Sequence, residues 1–366
     1  MTYPHSFEQA ASAPLEESLP VLEPGSLRKV RTLCDAIYGK VKLVASNLPN
    51  MPPSFVVKQM PKAVFQNPCG IECPRNEIHA SLAIGQDLQV PHIAKVLFAA
   101  QDEKFFYLAT EYCAHGELLT LVNTAGRLQG DTVLREVLLQ ILGSVKVLHE
   151  NGIAHRDLSL ENFLVDADGE VRLIDWAQAV LVHPKGQPEK EARVSQVDGP
   201  PGKPHYQGPE LAGGRMYLAT KADMFAIGIM LFALATGTYP FPPKCGNDQI
   251  DSVDLFPPEE ACAARCRHLG RKLQKSPGNL KDCVSPGCLD LLEQLLAPNP
   301  ELRISAEEAL MHPWLTGAIS DLWLLADTRD STSTSAGSTD SSGEDDDFEM
   351  MGIDCSDSIS CGVIAN

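Results

Sequence analysis

The sequence predicts an α+β chain, strand-rich with one helix in its first part and mainly helical beyond it. Three observations carry this reading. From Leu27, short stretches alternate polar and apolar residues at period two, as half-buried strands do. From Val133, the apolar spacing changes to three and four, as on an amphipathic helix. Downstream, Phe163-Leu164-Val165 and Val171-Arg172-Leu173-Ile174 flank Asp166-Ala167-Asp168-Gly169, and Asp-Gly between β-type residues is a strong short-hairpin signal. That last stretch reads as loop, strand, tight turn, strand, loop, with an Asp or Asn at each end.

In chain order, residues 1–26 are rich in Pro, Ser and Glu without a period and read as a loose, disordered leader. Lys29–Leu33 and Lys40–Val44 are the first two strands. A Pro-rich connection from Pro49 to Pro53 leads to a third, Phe55-Val56-Val57-Lys58, ending in the lysine. The next helix is expected around Arg75–Leu82, and Ile93–Ala100 with Phe105–Ala109 reads as a hairpin around Asp102-Glu103. Asp131-Thr132 then caps a long helix. Its Val133, Leu134, Val137, Leu138, Ile141, Leu142, Val145 and Leu148 share one face, and Asn151-Gly152 ends it. The stretch from Lys221 through Leu234 is apolar nearly all round and is expected to be buried.

Composition narrows the classes. The chain has 366 residues, 44% of them hydrophobic, enough for two or three domains with sizeable cores. Residues 326–366 hold ten acids and one Arg, so half of the net charge of −18 falls on one ninth of the chain, and this Ser-rich tail reads as disordered. A pI near 4.9 argues against nucleic acid as a partner. No uninterrupted apolar run reaches the roughly 20 residues of a membrane span, and no signal-peptide pattern opens the chain, so a cytoplasmic place is expected, with a nuclear one compatible. Eleven cysteines without the tight spacing of zinc ribbons read as free thiols.

The stretch His155-Arg156-Asp157-Leu158-Ser159-Leu160-Glu161-Asn162, followed 13 residues after Asn162 by Asp175-Trp176-Ala177, resembles the eukaryotic-type protein kinases, with their H-R-D-L-x-x-x-N catalytic loop. The likeness runs over roughly residues 28–315. It implies the bilobal α+β fold of that family, a kinase domain at 27–315 with a small β-rich N-lobe holding one main helix at 27–111 and a hinge and larger helical C-lobe at 112–315. It also implies transfer of the γ-phosphate of ATP, with Mg²⁺, to Ser/Thr hydroxyls of a protein substrate, and it allows an upstream kinase as a second partner. By the resemblance, Asp157 accepts the hydroxyl proton, Asn162 and Asp175 hold Mg²⁺, and Lys58 contacts phosphate while fixed by Glu77, with Glu72 as a fallback partner.

Other positions follow from the same likeness. Gly39 and Val41 match the end of the glycine-rich loop, where Cys34 and Ala36 replace two glycines. The backbone of Glu111 to Cys113 is placed against adenine and Glu117 near ribose. Gly202–Glu210 resembles the end of an activation segment, in which phospho-Ser195 would pair with Arg156 and Asp198 would serve as a built-in substitute. Glu210, Asp223 and Arg303 take structural positions: Asp223 ties down the catalytic loop, and Arg303 pairs with Glu210. Ser159 stands where Ser/Thr kinases usually carry a Lys that contacts the transferred phosphate. Lys203 replaces a Thr that usually bonds the catalytic Asp, and Trp176-Ala177 replaces Phe-Gly. The degraded glycine loop leaves open a second reading, a pseudokinase that binds nucleotide weakly or not at all and serves as a scaffold.

Overall fold

Strands β1 (Arg28–Ala36) and β2 (Gly39–Ala45) close on the two-residue turn Ile37-Tyr38, and β3 (Ser54–Pro61) pairs with β2 so that Val41 faces Lys58. The computed structural model describes residues 15–317 apart from 24, 26, 46–49, 66–70, 89, 184–190, 197–198, 212–215 and 241–283, and apart from the side chains of 16, 86 and 87. With β4 (Val96–Gln101) and β5 (Phe105–Thr110) the strands make one antiparallel sheet in the order β1-β2-β3-β5-β4. Lys58 is therefore mid-strand, not at a strand end. The helix at Pro74–Leu82 packs on this sheet. It starts at Cys73, whose sulfur accepts from the Asn76 amide at 3.4 Å, with a proline in its first turn as helix starts favour.

The leader is not loose throughout. Leu15 and Leu19 lie one helical turn apart and are buried in a cluster with Met60, Phe65, Ile78, Phe106 and Leu108. Gln101 fastens the segment: its Nε2 donates to Leu19 O at 2.8 Å, and its carbonyl accepts from Leu22 N at 2.7 Å. Two leucines at helical spacing within a Pro-rich stretch were too short a pattern to register as an element. Residues 1–14 and the acidic tail lie outside the described residues.

The lower lobe is built on two long helices. One spans Asp131–Glu150 and buries Leu134, Leu138, Ile141, Leu142, Val145 and Leu148. Two expectations for it are corrected. Its cap position is Gly130, while Asp131 lies in the first turn and accepts from Trp314 Nε1 at 2.8 Å, joining the helix start to the end of the domain. Val133 is 42% exposed, because the helix's contact arc is narrower than the full apolar set. The other long helix, Ala219–Thr236, is apolar and long enough to cross a membrane by length and composition. It is instead a core element, with 83% of it buried among the surrounding helices. Hiding an apolar side chain of this kind contributes about 1.5–3 kcal/mol each, which makes this helix the axis of the lobe.

Phe163–Val165 and Val171–Leu173 form the expected hairpin, joined on one edge by Gly116–Glu117. Asp166 shapes its turn by accepting from the amides of Asp168 and Glu170, both at 2.9 Å. The expectation of free thiols holds for Cys73, Cys113 and Cys288 but fails for Cys34, which is disulfide-bonded. Spacing along a chain does not report which cysteines meet in space.

Candidate active site

The site residues converge on the seam between sheet and helical lobe. From above, Lys58 on β3 reaches Glu77 on the first helix, with Nζ 2.6 and 2.7 Å from the two carboxylate oxygens. Burial disfavours the Lys58 ammonium, yet Asp175 and Glu77 hold it above the ordinary lysine range. Burial pushes Glu77 up to about 7 against the pull of Lys58. Glu72, the fallback partner, is engaged elsewhere, accepting from Gln178 Nε2 at 2.7 Å.

From below, the loop after the Asp131–Glu150 helix carries Asp157 and Asn162. Asp223, buried on the core helix, accepts the amides of His155 and Arg156, both at 2.8 Å, and meets His149 Nε2 at 3.0 Å. That grip holds Arg156 at φ 69, a left-handed backbone that a non-glycine residue adopts only when its surroundings impose it. Asn162 Nδ2 then donates to Asp157 O at 2.6 Å and Oδ2 at 2.8 Å. Asp157 Oδ1 is buried with no hydrogen-bond partner among the described residues. Burial raises the Asp157 carboxyl, partly countered by Lys203.

Asp175 follows the hairpin, also in a left-handed backbone at φ 69, and accepts from Ala177 N at 3.2 Å. Burial disfavours its carboxylate, but Lys58, the Ala177 amide and Lys203 hold it below the usual carboxylate range. An ionised Asp175 and the amide oxygen of Asn162, whose Nδ2 is given to Asp157, form the donor set a Mg²⁺ ion takes when phosphate oxygens and water complete its shell.

Asn76 is a site residue that sequence reasoning missed. Its Nδ2 donates to the carbonyls of Trp176, Ala177 and Ala179 at 3.1, 3.3 and 2.8 Å, clasping the segment after Asp175 to the first helix. Trp176 packs against His155 with ring centres 5.0 Å apart. A single Asn beside Glu77 carries no signal of this in sequence.

The remaining expected positions divide. Gly39 opens β2, and its glycine is required by packing: an added Cβ would lie 2.0 Å from Gln59 O, at φ +146. Glu111 N donates to Lys95 O at 3.0 Å, while the Cys113 amide donates to no backbone carbonyl among the described residues. Cys113 is buried with its thiol pushed up to about 12 by burial. Glu117 stands at a helix start without capping it. It is buried, its Oε1 lacks a partner among the described residues, and burial with Glu161 nearby raises it to about 7. Arg303 pairs with Glu210 through two bonds of 2.6 and 2.9 Å. Arg156 and Ser195 are not brought together by any described hydrogen bond. Ser195 is exposed, Arg156 Nε is buried without a partner among the described residues, and Asp198 lies outside them. Tyr206 is buried and donates to Glu161 at 2.9 Å, so its hydroxyl serves packing.

A carboxyl raised by folding binds its proton more tightly folded than unfolded. Its contribution is therefore full below the unfolded value and fades as pH rises through the folded one. Glu117→Gln is accordingly expected to raise the melting temperature over the parent at pH 8 and to change it little at pH 5, which thermal unfolding at the two pH values checks.

Residues 30–315 match the protein kinase domain. The chain belongs to the protein kinase family. It is 30% identical over 278 residues to maternal embryonic leucine zipper kinase of Xenopus tropicalis, covering 76% of this chain and 37% of that protein. It is 29% identical over 225 residues to serine/threonine-protein kinase kin-29 of Caenorhabditis briggsae, covering 62% and 24%. With CBL-interacting protein kinase 21 of Oryza sativa subsp. japonica it shares 25% over 295 residues, covering 81% and 50%. The chain thus spans a quarter to a half of the length of these relatives.

Proposed function

We propose that this chain is an ATP-dependent protein serine/threonine kinase that uses Mg²⁺. The observation that carries the reading is the meeting of Lys58–Glu77, Asp157–Asn162 and Asp175 at one seam, with a buried Asp157 oxygen that has no hydrogen-bond partner among the described residues. A relative named as a serine/threonine-protein kinase supports the acceptor class.

Phosphoryl transfer leaves the protein mainly positioning and electrostatics. Asp157 orients the acceptor hydroxyl and takes its proton on Oδ1, held in place by the Asn162 amide. Lys58, kept charged by Glu77 and Asp175, draws on the ATP phosphates. Asn162 and Asp175 would hold Mg²⁺, which when bound neutralises charge across the β- and γ-phosphates. The Asn76 clasp keeps Asp175 turned toward the seam.

Labelled phosphate transfer from Mg·ATP to a generic basic protein tests this. Transfer by the parent should fall at least about 100-fold in Asp175→Asn, which keeps the shape and removes the charge. Equal transfer by both proteins would contradict the reading, and a folded parent that transfers nothing would favour the scaffold.

A further inference from the structure

One buried ammonium has no part in the mechanism above. Lys203 Nζ lies 2.8 Å from Ser159 Oγ and 3.4 Å from Asp157 Oδ2. Ser159 is fully buried, and the Lys203 side chain is 25% exposed. Lysine rarely hides its charge, because taking an ammonium out of water costs several kcal/mol unless partners compensate. Here the carboxylates of Asp157, Glu161 and Asp175 keep the group charged although burial opposes it.

The local backbone is arranged to put it there. Gly202, at φ +76, lies so close to the catalytic loop that a Cβ on it would stand 2.9 Å from Arg156 O. Its amide donates to Gln178 Oε1 and its carbonyl accepts from Gln207 Nε2, each at 2.9 Å. The segment is pinned on both sides of one lysine.

In the transfer, the acceptor oxygen bonds to the γ-phosphorus and its proton passes to Asp157. The bond to the β–γ bridging oxygen breaks, and ADP leaves with that electron pair. Negative charge spreads meanwhile over the three equatorial oxygens. The basic side chains beside Asp157 and Asp175 include Lys58, Lys203 and His155. Lys58 pairs with both oxygens of Glu77 and is already assigned above to the ATP phosphates, while the His155 ring meets Ile174 O at 3.1 Å and accepts from the Asp157 amide at 3.3 Å. Lys203 has three donors and two described partners, which leaves one N–H to give.

We propose that Lys203 supplies the positive charge that stabilises the phosphoryl group in transit, delivered from the activation segment and held in place by Ser159. The catalytic loop's hydroxyl and the segment's ammonium thus stand opposite each other, with the charge on the segment side. This rests on the kinase reading.

Three variants test it: Lys203→Thr, Ser159→Lys, and the two combined. In single-turnover transfer, Lys203→Thr should fall about 10²–10³-fold, with KM for ATP changed far less. The double variant, which returns an ammonium from the loop side, should recover at least tenfold over Lys203→Thr. A second readout needs no catalysis: competition binding of Mg·ATP against Mg·ADP. A cation facing the γ-phosphate predicts that Lys203→Thr weakens ATP and leaves ADP alone, so the preference for ATP falls. Lys203→Met, with a stem of similar length, replaces Lys203→Thr if the latter does not fold. Parent-like turnover in either neutral variant, or lost turnover with the ATP preference intact, would overturn the proposal and leave Lys203 as a mere neutraliser of Asp157. A parent that transfers nothing would overturn the kinase reading, while the ATP preference still decides the role of Lys203.

Discussion

Asp157→Asn is expected to lower kcat by about 10²–10⁴ while leaving the KM for ATP near that of the parent. The substitution keeps the shape of the side chain. The loop around it is fixed independently by Asp223, which accepts two of its amides, and by Leu160 N bonding Tyr206 Oη at 3.2 Å. What changes is the buried Oδ1 without a partner, the only atom of that carboxylate not engaged by Asn162 or Lys203 among the described residues. An amide there cannot take a proton from the acceptor. Steady-state kinetics with a melting curve for both proteins separates lost chemistry from lost fold. A folded variant with parent-like kcat would remove Asp157 from the mechanism.

Arg303→Met is expected to destabilise the helical lobe by about 3–5 kcal/mol. The Arg303 side chain is 0% exposed, meets both Glu210 oxygens, donates through Nε to Ala297 O at 3.0 Å, and lies over the Phe225 ring at 4.9 Å. Methionine replaces much of the stem but removes the donor that the Glu210 carboxylate and the carbonyls of Ala297 and Lys221 share, and an unpaired buried charge is the expensive outcome. Denaturant unfolding should show the loss, and Arg303→Met with Glu210→Leu should recover a substantial part of it, since the stranded carboxylate is gone. A single variant as stable as the parent would mean that the pair is solvated in solution.

The legible parts of the fold were those where one residue pattern has one structural outcome. The hairpin after Asn162 was readable because Asp-Gly between β-type residues leaves the backbone few alternatives, and the Lys58–Glu77 pair because a strand and the next helix put them on facing surfaces. The less legible parts depend on distance in space. Asn76 holds three carbonyls about 100 residues away, and nothing near it in sequence announces them. The leader's Leu15 and Leu19 become core only because a sheet edge built far downstream offers a pocket. Gly39 matched a phosphate-loop position, yet its close neighbour is the Gln59 carbonyl, a strand-packing reason that a motif does not reveal. Ser159 and Lys203 looked like two separate departures 44 residues apart; the fold makes them one contact.

Phosphate moved from ATP to a protein hydroxyl at this seam leaves a product that can be identified. The most direct measurement is the identity of the product after the parent is incubated with Mg·ATP and a mixed peptide library, read by mass spectrometry. Peptides heavier by one phosphate on serine or threonine, formed in step with ADP, are the expected result. ADP formed without any phosphorylated peptide or protein, or no turnover by a folded chain that binds Mg·ATP, would contradict it.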